Sequence, residues 1–194
     1  MMFDPGEPWD IRPACRALLD LASAIWMPHE IRLAGAVNGW PVVERRWGTG
    51  FDFDLGGRLW LRISFGLNAV APPAGGIWPP HGQVLLYYHW EGNYLRDEEF
   101  KDFGRVDFDR AYEVSRERIR SQLGHPEFEG VCRSGWWEEH PCYHFAIWQG
   151  HRGLLILQQG ELDLQCGGVD VSVCLHPWQR GTPLPCEPIL VNRR

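Results

Sequence analysis

Residues 143–178 read YHFAIWQGHRGLLILQQGELDLQCGGVDVSVCLHPW, and their patterning decides the fold class. Tyr143 to Gln149 is rich in aromatic and β-favouring side chains. Gly150-His151-Arg152-Gly153 has the composition of a turn. Leu154 to Gln159 opens on an unbroken apolar run, as a strand covered on both faces does. Gly160-Glu161 is expected to turn the chain again. From Val169 to His176 the residues alternate. Val169, Val171, Val173 and Leu175 fall on one side, Asp170, Ser172, Cys174 and His176 on the other. Such alternation predicts a strand with one buried face. Gly167-Gly168 predicts a bend or bulge before it, and Pro177, which has no N–H for a ladder, ends it.

Working outward, Phe51, Phe53 and Leu55 alternate with Asp52 and Asp54, and Leu59, Leu61, Ile63 and Phe65 alternate with Arg58, Trp60, Arg62 and Ser64. Gly56-Gly57 between them predicts a two-residue hairpin turn at positive φ. Arg58 or Arg62 is placed to pair across the hairpin with Asp52 or Asp54. Val84 to Trp90 is a further strand. Ile31 to Val37 and Trp40 to Trp47 are shorter strand candidates. A helix is expected near 10–26, with Asp10 as cap, Ala14, Leu18, Leu21 and Ile25 as its apolar stripe, and Pro28 as its stop. A second is expected near 107–123, capped by Asp107 and closed by Gly124 and Pro126. The Pro- and Gly-rich residues 66–82 and the stretch His125 to Cys142 have no regular pattern.

The expected elements are therefore helices near 10–26 and 107–123 and strands near 51–55, 58–65, 84–90, 143–149, 154–159 and 169–176. Helices alternating with runs of hairpin-joined strands indicate an α+β fold, an antiparallel β-sheet with two main helices packed on it. At 194 residues this is a single domain. Its order suggests two helix-then-strands halves, 1–95 and 105–178, followed by a Pro-rich tail, 179–194.

Composition narrows function. With 44% hydrophobic and 23% charged residues the chain is globular, and eleven tryptophans make it strongly aromatic. A net charge of −6, with no basic stripe beyond Arg116–Arg120 and the terminal Arg193-Arg194, argues against nucleic-acid binding. No apolar run reaches the ~18 residues of a membrane span, and the N-terminus lacks the pattern of a signal peptide. The expectation is a cytoplasmic protein with its six cysteines as free thiols and no membrane partner. No phosphate-cradling or dinucleotide fingerprint is present, so no cofactor is expected.

Three constellations bear chemistry. His140, Cys142 and His144 share one strand face at a spacing of two, a pattern suited to a metal or to a small Cys/His hydrolase, with Glu138 or Glu139 as a further ligand or base. Asp170, Ser172, Cys174 and His176 are the residue types of a nucleophile and its base. Along one strand, however, Ser172 and His176 lie ~13 Å apart, too far for proton transfer. Asp97 to Asp109 holds six carboxylates, Asp97, Glu98, Glu99, Asp102, Asp107 and Asp109, against Lys101 and Arg105, interleaved with Phe100, Phe103 and Phe108. Such a run reads as a solvated connection or as a surface for a cationic partner, and the second is the expectation carried forward. Trp78, between Gly and Pro breakers, is an aromatic candidate for the same contact.

Leu123-Gly124-His125-Pro126, the strand ending in Trp148, Leu154-Leu155-Ile156-Leu157 and Gly168 to Val173 together resemble small, mostly uncharacterised bacterial proteins, among them immunity proteins of polymorphic toxin systems. The likeness spans Asp107 to Trp178, under half of the chain, and carries no catalytic residue. A looser likeness is to secretion-chaperone folds of the helix-then-sheet kind. Both imply a non-enzymatic, protein-binding role. The partner-binding residues expected are Asp97, Glu98, Glu99, Asp102 and Trp78.

Overall fold

A computed structural model describes residues 7–45, 50–65, 81–90, 98–133, 142–163, 168–179 and 181. Among them are three helices, α1 (Cys15–Ala22), α2 (Pro28–Val37) and α3 (Glu98–Leu123), and eight strands. The strands are β1 (Val42–Glu44), β2 (Gly50–Gly56), β3 (Leu59–Ser64), β4 (His81–Trp90), β5 (Phe128–Arg133), β6 (Cys142–Gln149), β7 (Gly153–Asp163) and β8 (Gly168–Pro177). They form one sheet in the order β1-β2-β3-β4-β8-β7-β6-β5, antiparallel throughout. Each helical segment is thus followed by a four-strand meander, and the two meanders join through their last strands, β4 and β8.

The α+β class and the antiparallel sheet agree with the sequence reading; among the described residues there are three helices where two main ones were expected. Pro28, read as a stop, is the first residue of α2. A proline suits that position because its missing N–H would have no partner there and its φ is already helical. Ile31 to Val37, expected as a strand, is therefore helix, and the expected helix 10–26 shrinks to Cys15–Ala22. Asp10 does not cap it. Its carboxylate instead accepts bonds from Arg12 Nε at 2.8 Å and Nη2 at 2.7 Å. That pairing holds Asp10 down at about 2. Asp107 is not a cap either, since α3 begins at Glu98 and takes in most of the acidic run.

Three strand details also depart from expectation. The hairpin turn is Gly57-Arg58, because Gly56 pairs with Leu59. Gly57 has φ 58° and Arg58 φ 73°, both in the left-handed region. Gly160-Glu161 does not turn: β7 continues to Asp163, with Gly160 facing Asp170 and Glu161 facing Val169. Phe128–Arg133, read as irregular, is the edge strand β5.

The helices cover one face of the sheet. Leu18 and Leu21 of α1, Ile31 of α2 and Phe108, Tyr112 and Ile119 of α3 pack on Phe51, Phe53, Leu61, Ile63, Val84, Val171, Val173, Leu155 and Leu157. Close approach is built in by two glycines. A Cβ on Gly35 would stand 2.1 Å from Phe53 Cε1, and one on Gly153 would stand 1.9 Å from the Ala22 carbonyl oxygen. At the end of α3 the Gly124 N–H bonds back to Arg120 O, and the Trp148 indole N–H donates to Gly124 O at 2.9 Å, fixing the helix end to β6.

Candidate functional site

The opposite face of the sheet is divided. One row of side chains crosses it through paired positions: Asp52 faces Arg62, Arg62 faces Gln83, Gln83 faces Cys174, Cys174 faces Ile156 and Ile156 faces Ile147. On β2, β3 and β4 this row is polar and partly or fully open to solvent. On β8, β7 and β6 it is buried, with Leu154, Phe145 and Trp178 in the same apolar cluster. The alternation of β8 predicted one buried face. Both are buried, including Asp170, Ser172, Cys174 and His176.

That buried row brings the nucleophile-type residues together no better than the strand spacing allows. Ser172 lies opposite Gln158 on β7 and Leu85 on β4, and His176 lies opposite Leu154. The His176 ring stacks on His81, centroids 6.1 Å apart. Burial first, and His81 second, pull the His176 pKa down to about 3, so the ring is neutral at physiological pH. Among the described residues, Ser172 Oγ, His176 Nε2 and both amide atoms of Gln158 are buried without a hydrogen-bond partner. The Cys15 thiol, in the helix-covered core, is pushed up to about 12, mainly by burial, and stays protonated. A neutral, buried thiol is a packing group and a poor nucleophile.

Of the expected metal ligands, His140 lies outside the described residues, and Cys142 and His144 stand two apart on β6. The His144 ring stacks on Tyr112 of α3 at 5.3 Å, and its backbone N–H donates to Gln159 Oε1 at 2.8 Å. Gln159 Nε2 in turn donates to Asp109 Oδ1 at 2.8 Å. Among the described residues no three metal-binding side chains gather.

Of the expected contact residues, Trp78 and Asp97 lie outside the described residues, while Glu98, Glu99 and Asp102 fall in the opening turns of α3. Further along that helix the pattern resolves. Phe108 turns inward against Tyr143, ring centroids 6.1 Å apart, while Val106 is 67% exposed beside exposed Asp107. Sequence reading also missed the outer side of α2, where Leu33 and Val37 are exposed one turn apart. Their spacing of four is a helical signal that the strand reading hid.

In comparisons with known proteins the chain matches no family model, no curated protein and no solved structure. Among the described residues no helix is long and apolar enough to cross a membrane.

Proposed function

We propose that the protein works by binding a cationic protein partner through the N-terminal half of α3, as an immunity-type neutralising protein would. The observation that carries this reading is Val106, an apolar side chain held out to solvent beside exposed Asp107, while neighbouring Phe108 serves the core. An exposed apolar anchor in an acidic segment is the usual make-up of a steered contact, the anchor supplying affinity and the charges the encounter rate. The buried serine and the protonated, buried Cys15 favour binding over catalysis.

Association kinetics with a partner captured from the native host test the proposal. Neutralising Asp97, Glu98, Glu99 and Asp102 together should slow association by roughly tenfold at low ionic strength, and rising salt should do the same to the parent protein. Val106→Ser should speed dissociation instead. Carboxylates in a helix's opening turn also stabilise it by about 0.3–1 kcal/mol each, so helicity and melting are measured alongside. An on-rate indifferent both to salt and to the four substitutions ends the proposal.

A further inference from the structure

A second site lies on the open half of the far sheet face. The β2–β3 hairpin ends at Gly57-Arg58, whereas β4 runs on past it, and Leu86 O accepts the Trp9 N–H at 2.9 Å. The gap between hairpin tip, β4 and Trp9 is a concavity of about 270 Å³ lined by Trp9, Asp52, Arg58, Trp60, Arg62, Gln83 and Leu85. Trp60 and Arg62 share one face of β3 a ~7 Å step apart, and Arg58 joins the same lining from the turn.

Neither arginine is consumed by the fold. Arg58 makes no hydrogen bond or ion pair among the described residues. Arg62 reaches Asp52 Oδ1 only at 3.9 Å, and that oxygen already accepts from Arg45 Nε at 2.7 Å. The Arg62 side chain remains 65% exposed, and Trp60 is 45% exposed. In a chain of net charge −6 with 25 carboxylates, two unspent guanidiniums at one concavity need a reason. Arg58 also holds φ 73° in a turn position that glycine or asparagine fills more easily. Strain of that sort persists where a side chain is wanted for something other than folding.

We infer that this concavity binds a small organic anion carrying one flat ring, its acid group held between Arg58 and Arg62, its ring laid on Trp60 and its polar edge met by Gln83. Guanidinium forks match a carboxylate or phosphate in two-point geometry, and an indole face takes a flat ring. The volume suits one ring and one acid group and is too small for a polymer, which the net charge would also repel.

The shared chemistry fits a nucleoside monophosphate or an aromatic carboxylic acid, and calorimetric titration separates them. Adenosine 5′-monophosphate and indole-3-acetate are titrated beside adenosine and inorganic phosphate. One of the two ringed anions should bind at least roughly tenfold more tightly than either fragment; which one it is assigns the source. Arg58→Gly with Arg62→Ala should weaken that binding by roughly tenfold or more, and Trp60→Ala should do likewise. Arg58→Gly alone should weaken it while raising the melting temperature, a combination that a scaffold residue does not give. Ringed anions that bind no better than phosphate, or a double variant that binds like its parent, overturn the assignment. A lower melting temperature for Arg58→Gly overturns it too, because Arg58 would then belong to the fold.

Discussion

Gln158 and Gln159 are neighbours on β7, both buried, and they point to opposite faces of the sheet. Gln159, on the helix-covered side, uses both ends of its amide: it accepts from His144 N–H and donates to Asp109 on α3. Gln158, on the far side, uses neither among the described residues, and Ser172 opposite it likewise has no partner there. The sequence pair is chemically identical, so the difference belongs to the surroundings. On one face a helix arrives with a carboxylate in reach. On the other, the polar atoms are desolvated and left unpaired, which costs about 1–3 kcal/mol per group.

Four measurements break or sharpen that contrast. The largest effect is expected from Gly153→Ala, whose added Cβ meets the backbone oxygen of Ala22. Backbone cannot rotate away, so α1 must lift from the sheet, and chemical denaturation should show a loss of about 3 kcal/mol. A neutral result would mean that the helix-covered face is loose. Next comes Gln159→Leu. It strips His144 N–H and Asp109 of a partner in a buried setting and should destabilise by about 2–3 kcal/mol.

The third is a pH effect. His176 titrates at about 3 in the fold against 6.5 unfolded. Its neutral form is therefore favoured by folding, and that contribution is complete above pH 6.5. It falls away as pH drops from 6.5 toward 3, with a slope of up to about 1.4 kcal/mol per pH unit. His176→Phe should flatten this part of the stability profile, and an unchanged slope would show that His176 is solvated. The smallest change is expected from Gln158→Leu, close to neutral or stabilising by about 1 kcal/mol, since no hydrogen bond is lost and two unpaired polar atoms go. A loss as large as that of Gln159→Leu would show that the two faces treat their glutamines alike.

Much of the sheet was legible because its signals are local. Phe51 to Phe65 and Val169 to His176 alternate cleanly, and both became strands, with Phe51, Phe53, Leu59, Leu61, Ile63, Val171, Val173 and Leu175 in the core. The misreadings share a cause. Pro28 has the same local chemistry at the end of one helix and the start of the next, and only the packing of Ile31 and Gly35 on the sheet chose the start. Phe128–Arg133 carries glycine, charge and one exposed valine, a weak strand signal completed by pairing with β6. The site residues were harder still. Arg58, Trp60 and Arg62 read as a solvated strand face, and nothing in the sequence placed Trp9 or Gln83 beside them.

By itself the sequence determined the antiparallel α+β class, the inward set of the β2–β3 hairpin and of β8, and the acidic character of the segment that opens α3. Each follows from period, propensity or charge within a short stretch, and such terms act whatever the rest of the chain does. Tertiary structure alone decided that the far face of β8 is buried, that His144 turns to Tyr112 and Gln159, and that Arg58, Trp60 and Trp9 meet at one concavity. Those outcomes depend on which distant segments pair and cover one another. No local propensity encodes that choice: it is set by the burial and hydrogen bonding of the assembled sheet.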